Sequence, residues 1–366
     1  MTRREQVTAS CITHSIIYSS EKGPGIFTRI PNYFCLYCLE LQCVNQQLFQ
    51  ALRHGAWHLD ESEFKASFGA NDEHKRLLKA IKGHMGLSGS TFFTTHDEEY
   101  IIKSIPRRFE SSFFKNDLLQ PYAEYMYHNP NSLLTRITAF LACYQCSIGT
   151  LLNITPTHHI VMENLLHGKR DDWEDYDLKP MSYFYPERDI AHGALSSEAT
   201  KTKLADNFPD KLILTLDQAE DLKAQLQKDT RLLANCNTVD YSLMLVRIPI
   251  PADPSSSSDN DAAKPASTNE GEGEEEGNLP PRGKPPVIAP PSWRTSITSA
   301  DGKWKYRASV LDFFWSKHKV YARVMTALIS VYNTVDRQGH MSITTDSGEY
   351  RQRFLQMIND LIEVRA

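Results

Sequence analysis

Gly86-Leu-Ser-Gly-Ser90 runs into Thr91-Phe-Phe-Thr-Thr-His-Asp-Glu-Glu-Tyr-Ile-Ile-Lys103. The stretch reads as a small glycine-bearing loop, a strand, a tight polar turn and a second strand ending near a lysine. Gly and Ser let backbone N–H groups approach phosphates closely, because no large Cβ substituent blocks the way. The second strand alternates Ile101, Lys103 and Ile105 on one face, so one ammonium aims back under the loop. A lid over phosphates and a lysine that holds them are parts that phosphoryl-transfer sites require. An ordinary surface hairpin with a lysine would read the same way, so the loop alone does not decide.

Composition bounds the rest. The chain has 366 residues, 41% of them hydrophobic and 23% charged, which suits one large or two small domains with a real core. Its net charge of −5 gives no global basic field for nucleic acid or an anionic membrane. No apolar run approaches a membrane span, and the Met-Thr-Arg-Arg-Glu-Gln start lacks a signal-peptide core. The 7 cysteines are odd in number and scattered, which predicts a reduced, cytoplasmic chain. Cys35-Leu-Tyr-Cys38 and Cys143-Tyr-Gln-Cys146 do not read as zinc sites, which need four converging ligands in a turn-rich setting. They read as buried cysteines acting as small hydrophobes.

Residues 1–40 show no period and read as an N-terminal extension. Phe49–Arg53 and Leu59–Phe64 predict a helix and a capped turn into another. Glu110–Tyr127 carries Phe113, Phe114, Leu118, Tyr122 and Met126 near helical spacing, and Asn129-Pro130-Asn131 stops that helix. Strands are predicted over Ile137–Ile148 and His159–Met162. Thr215-Leu-Asp-Gln218 is a capping box, with Leu216, Ala219, Leu222, Leu226 and Leu233 marking the inner face of a long helix. Asp240–Ile248 is a strand entered through a polar elbow. Residues 251–291 are rich in Ser, Pro, Gly, Glu and Asp around Glu274-Glu275-Glu276, and read as a disordered insert. Order is expected again from Trp304, with a strand at Ser309–Phe314 and a final helix at Tyr350–Val364.

Three separated residues fit one site. Lys103 ends a strand beneath the loop, Asp240 starts a strand after the long helix, and Asp312 ends a strand beyond the insert. Phosphoryl transfer to a hydroxyl needs a cation on the nucleotide phosphates, a carboxylate near the incoming hydroxyl and a carboxylate for Mg²⁺. Either aspartate alone could be a cap or a turn residue.

The motifs then resemble those of the phosphatidylinositol phosphate kinase family. Ser88–Lys103 is similar to its glycine loop and nucleotide lysine. Asn129-Pro-Asn-Ser-Leu-Leu134 resembles its Asn-Pro-x-Thr-Leu-Leu, and Ile160-Val-Met-Glu-Asn-Leu-Leu166 its hinge. Tyr176-Asp-Leu-Lys179, Val239-Asp-Tyr-Ser-Leu-Met244, Ser309-Val-Leu-Asp312 and Tyr350-Arg-Gln-Arg-Phe354 resemble four further blocks, of which Asp-Tyr-Ser-Leu is the most specific. The resemblance implies an α/β (α+β) two-lobed kinase fold, SAICAR synthase-like, with antiparallel sheets and packed helices. It implies a catalytic domain over 41–366, with lobes of about 41–162 and 163–366. It implies ATP and Mg²⁺ as cofactors, and a phosphoinositide headgroup at a membrane surface as substrate, most often PI4P giving PI(4,5)P2. A peripheral membrane location follows, a homodimer is compatible, and no nucleic acid is expected.

By that carry-over Asp240, Lys103 and Asp312 are catalytic, with Asp312 the metal ligand. Gly86, Ser88, Gly89 and Ser90 form the lid, and Met162, Glu163, Asn164 and Leu165 the adenine hinge. Asp177 and Lys179 lie near the site. Lys317, Lys319 and Arg323 form the substrate loop. Two departures keep a second reading open, an inactive scaffold that binds nucleotide or lipid. Pro180-Met181-Ser182 replaces the Gly-Ser that follows Asp-Leu-Lys in the family, and Ser112 stands where the family has the acid that faces the lysine, with Glu110 two residues earlier. A SAICAR-synthase-like ligase is the third and weakest reading.

Overall fold

The computed structural model describes residues 1–18, 36–70, 78–81, 90–145, 147–152, 154–180, 208–251, 292–316 and 345–365. Gly86, Ser88, Gly89, Met181, Lys317, Lys319, Arg323 and nearly all of the acidic insert lie outside these residues.

The chain opens on α1 (Arg3–Ile17), started by a capping box between Thr2 and Glu5. Residues expected to be a periodless extension are thus helical in part. Strand β1 (Leu41–Cys43) follows, then α2 (Gln46–Ala51), which runs into a π-turn at Leu52–Ala56. Next is α3 (Glu61–Ser67), whose N-cap Asp60 accepts from the Ser62 and Glu63 amides. The hairpin expected from the glycine loop forms as β3 (Phe92–Thr94) and β4 (Tyr100–Ser104), after the short β2 (Lys79–Ala80). The helix expected after it is α4 (Arg108–Phe113), a π-turn at Phe114–Leu118 and α5 (Leu119–His128). Then come β5 (Ile137–Cys143), α6 (Ile148–Leu151) and β6 (His158–Glu163). The β5 strand stops short of the expected Ile148 because Ser147 caps α6. These strands make a six-stranded antiparallel sheet in the order β1-β5-β6-β4-β3-β2.

The second half contains β7 (Glu174–Leu178), β8 (Leu212–Leu214), α7 (Leu216–Asn235), β9 (Thr238–Val239) and β10 (Ser242–Pro249). It continues through β11 (Ile297–Thr298), β12 (Trp304–Leu311), β13 (Trp315–Ser316), α8 (Ser347–Leu361) and β14 (Ile362–Val364). An antiparallel sheet runs β11-β12-β10-β7, while β13 pairs β9 and β14 pairs β8 in parallel. The capping box at Thr215 starts α7 as expected. Leu216, however, is 58% exposed, because the first turn lies beyond the buried stripe of Ala219, Leu222, Leu226 and Leu233. The strand expected over Ser309–Phe314 is interrupted at Asp312, where φ is +58°. The final helix ends at Leu361, since Ile362–Val364 pairs with β8.

Two cores result. The larger fills the space between the sheets and holds Phe114, Tyr122, Phe140, Leu226, Leu243, Val310 and Phe354. The smaller lies on the outer face of the first sheet, where Ala9, Ile12 and Ile16 of α1, Phe64 of α3 and its C-cap Phe68 cover Phe93, Tyr100, Ile102, Leu141 and Val161. Burying Ile12 and Ile16 contributes roughly 1.5–3 kcal/mol each, an upper bound. This cover explains why β4 is buried on both faces and its alternation shows only through Lys103. Cys11, Cys43, Cys143 and Cys236 are half-buried thiols, but Cys38 is disulfide-bonded, against the expectation that the Cys-x-x-Cys pairs stand reduced.

Candidate active site

Register decides which side chains meet. Leu178 of β7 faces Leu243 of β10, and Ser242 of β10 faces Leu311 of β12, so the three strands finish at one edge of their sheet. Just beyond that edge stand Lys179, Asp240 and Asp312. Both aspartates adopt the left-handed region, with φ of +66° and +58°. Few residues other than glycine sit there, Asn and Asp more readily than most, and such turns cluster at functional sites. The turn lifts each carboxylate out of the pleat. The Asp240 side chain is 17% exposed, and its Oδ2 lies 3.3 Å from Lys179 Nζ.

Lys103 comes from the other sheet. On β4 it sits between Phe92 of β3 and Ile160 of β6, and its side chain is only 10% exposed. The Phe92 ring centre is 5.7 Å from Nζ, and the ammonium donates to the Asp312 carboxylate across the gap between the sheets. Crowding at Asp312 pushes its carboxyl up, but the Lys103 charge and hydrogen bond, helped by Lys179, outweigh it and hold the group below the usual carboxylate range. The side chain still keeps 46% of its surface open to solvent.

A second acid, Glu110, feels the Lys103 charge. It lies on the first turn of α4, bonds Arg107 Nη1 at 3.1 Å, and is pushed up by burial against the opposing charges of Arg107 and Lys103. Ser112, about 200° away around the helix at 3.6 residues per turn, is exposed and accepts from Asn116 at 3.2 Å. Asp177 stands on β7 opposite Met244, exposed and two residues short of the edge that carries Lys179.

The hinge segment leaves β6 after Glu163. The Glu163 amide donates to Arg136 O at 3.0 Å and the Asn164 amide to Glu99 O at 2.9 Å. Asn164 also bonds Glu98 O at 2.7 Å through its side-chain amide. Arg307 of β12 donates to Leu165 O at 3.2 Å and His167 O at 3.0 Å. Met162, whose partner across the strands is Ile101, is half-buried against the larger core.

Sequence reasoning missed the residues that brace this edge. Asp229 on α7 is fully buried and accepts from Tyr125 Oη at 2.7 Å, Ser132 Oγ at 2.8 Å, the Leu133 amide at 2.7 Å and Gln225 Nε2 at 3.0 Å. That is the physical content of the Asn-Pro-Asn-Ser-Leu-Leu block. Its Ser and first Leu bind a helix carboxylate, and Val310 of β12 then donates to Leu133 O at 2.7 Å. The gap between Leu226 and Leu233 in the apolar stripe of α7 was the available signal. Arg294 was also missed. It ion-pairs with Glu163 and donates to Ser132 O at 3.1 Å, while burial and the nearby Arg136 push its guanidinium down to about 9.

Among the described residues no cluster of three His, Cys, Asp or Glu side chains could cage a metal ion, and no helix is long and apolar enough to cross a membrane. A divalent ion held by one or two carboxylates and by substrate phosphates needs no such cage. Asp312, half open and ionised, fits that role.

The family model described as Phosphatidylinositol-4-phosphate 5-Kinase matches residues 73–361. A probable phosphatidylinositol phosphate kinase of Dictyostelium discoideum is 32% identical over 160 residues, 44% of this chain and 21% of that protein. Phosphatidylinositol 4-phosphate 5-kinase type-1 alpha of Rattus norvegicus is 31% identical over 167 residues, 44% of this chain and 28% of its own length. The type-1 beta enzyme of Homo sapiens is 32% identical over 163 residues, with the same shares of 44% and 28%. The matched segment therefore spans less than a third of each of these relatives.

Proposed function

The chain belongs to the phosphatidylinositol-4-phosphate 5-kinase family, and from that premise we propose that it transfers the γ-phosphoryl group of ATP to a ring hydroxyl of a phosphatidylinositol phosphate. PI4P giving PI(4,5)P2 is the favoured substrate and product, since the relatives include named PI4P 5-kinases. The observation that carries the reading is the meeting of Lys103, Asp312, Lys179 and Asp240 at one sheet edge. These are the charges that phosphoryl transfer needs, drawn from four strand ends far apart in sequence.

Each residue then has a role. Lys103 exchanges the Asp312 carboxylate for a nucleotide phosphate oxygen. Asp240 accepts a hydrogen bond from the acceptor hydroxyl and takes its proton as the new O–P bond forms and ADP leaves. Lys179, 3.3 Å from Asp240, holds that carboxylate in place and offers positive charge to the phosphoryl group in flight. Asp312 would hold Mg²⁺, which when bound supplies charge neutralisation along the phosphates. Of the hinge amides, those of Glu163 and Asn164 are already given to carbonyls, so the Leu165 amide is the donor left for adenine. By the family resemblance Gly86, Ser88, Gly89 and Ser90 would serve as the phosphate lid and Lys317, Lys319 and Arg323 as the substrate loop, each basic charge contributing about 1 kcal/mol against anionic lipid.

The scaffold reading drew on Ser112 and Pro180. On the kinase reading Glu110, whose carboxyl feels the Lys103 charge, would supply the acid in place of Ser112. The deciding assay measures labelled γ-phosphate transfer from ATP to PI4P, PI5P and PI3P in mixed vesicles, with Asp240→Asn as control. Product that disappears in the control supports the kinase and identifies its headgroup. No product on any lipid, with ATP binding intact, leaves the scaffold.

A further inference from the structure

Glu163 is the last residue of β6, and one oxygen of its carboxylate meets two partners. Its Oε1 accepts from the Arg136 amide at 3.1 Å and pairs with Arg294 Nη1. The Arg294 side chain is 10% exposed and spans three carbonyl or carboxylate partners: Glu163, Ser132 O at 3.1 Å from Nε, and Leu134 O. Its backbone is fixed to the opposite sheet, because Trp293 O accepts from the Ala308 amide of β12 at 2.7 Å and Thr295 O from Arg307 Nε at 3.0 Å. Ala308 lies four residues before Asp312, which follows the end of that strand. One planar guanidinium thus joins the hinge, the Ser132–Leu134 connector and the strand that presents Asp312. A bidentate-capable fork suits such a junction better than an ammonium does.

A purine nucleotide has a fixed length between base and phosphates. A site that grips the base at the hinge and the phosphates at Lys103 and Asp312 must hold those two regions at a matching separation. We propose that Arg294, acting through Glu163, is a positioning residue that sets this separation and so the affinity for the nucleotide. The inference rests on the kinase reading and goes beyond it. Arg294 touches neither Lys103, Asp312 nor Asp240. Its effect is on nucleotide binding, with the chemical step and the lipid site left alone.

The test uses the full chain. MgATP binding is measured by titration calorimetry for the unsubstituted protein, Arg294→Gln, Arg294→Lys, Glu163→Gln and the Arg294→Gln/Glu163→Gln pair. ATP and PI4P dependence of transfer are measured in parallel. Each glutamine variant should weaken MgATP about tenfold, and the pair no more than the worse single change, since both remove one contact. Arg294→Lys should recover part of the loss. KM for ATP should rise about tenfold, with kcat at saturating ATP and KM for PI4P within about threefold. Melting curves establish which variants are folded. Glu163→Gln, at a side chain 23% exposed, keeps the test open if Arg294→Gln does not fold. Folded variants that bind MgATP as the unsubstituted protein does overturn the proposal, and so does a fall in kcat with KM for ATP unmoved. Failure of the unsubstituted protein to bind MgATP at all overturns the kinase reading itself.

Discussion

Replacing Asp229 by alanine is the most direct test of how the edge is braced. The carboxylate is fully buried and takes four hydrogen bonds at 2.7 to 3.0 Å. Tyr125 and Gln225 are half-buried and can turn to water once it is gone. The Leu133 amide and the Ser132 hydroxyl cannot, since those residues are 2% and 0% exposed. Each orphaned buried donor costs about 1–3 kcal/mol, or about 2–6 for the two. Burial pushes the Asp229 carboxyl up, so removing it also relieves a desolvation cost and trims the loss. A net destabilisation of about 2–4 kcal/mol remains, which at roughly 2–4 °C per kcal/mol lowers the melting temperature by about 4–16 °C. Asp229→Asn keeps one carbonyl acceptor and should lose about half as much. Melting followed by circular dichroism reads both variants. An alanine variant that melts within 2 °C of the unsubstituted protein, or an asparagine variant as damaged as alanine, would refute the reasoning.

Two further outcomes follow from the charges. Because Lys103 depresses the Asp312 carboxyl, the pair's contribution is complete above about pH 4, the ordinary carboxylate value, and is lost as pH falls through the lowered one. Asp312→Asn should therefore flatten the acid limb of melting temperature against pH below about 4, and identical limbs would count against the pairing. Glu110→Gln should weaken MgATP binding several-fold, because Glu110 is the half-buried acid whose carboxyl feels the Lys103 charge, while Ser112→Ala should leave it unchanged. Equal effects from the two, read by calorimetry, would return the acid's role to neither.

Much of the architecture is local and was legible. The α7 helix starts where Thr215 and Gln218 cap it, and the hairpin β3–β4 falls where two apolar runs flank a polar turn, because caps and turns are decided within a few residues. Lys103, Asp240 and Asp312 could be picked out because they belong to motifs with strong chemical requirements. Other features depended on distant partners. Residues 3–17 show no clear stripe, yet they pack on the first sheet because α3 and the strand faces supply a matching apolar surface. The C-terminal residues 362–364 leave their helix because β8 offers a free edge.

The sequence by itself determined which residue types were available for phosphoryl transfer and on which strands and helix they sit, since period and capping are properties of neighbours in the chain. Only the tertiary structure decided which charges meet. It paired Lys103 with Asp312 and Lys179 with Asp240, and paired Glu110 with Arg107. It also disclosed Asp229 and Arg294, whose buried charges survive because backbone donors and carbonyls from distant segments converge on them. Such convergence arises from strand register and from the packing of α7 against the connector, and neither is written in any one stretch of the chain.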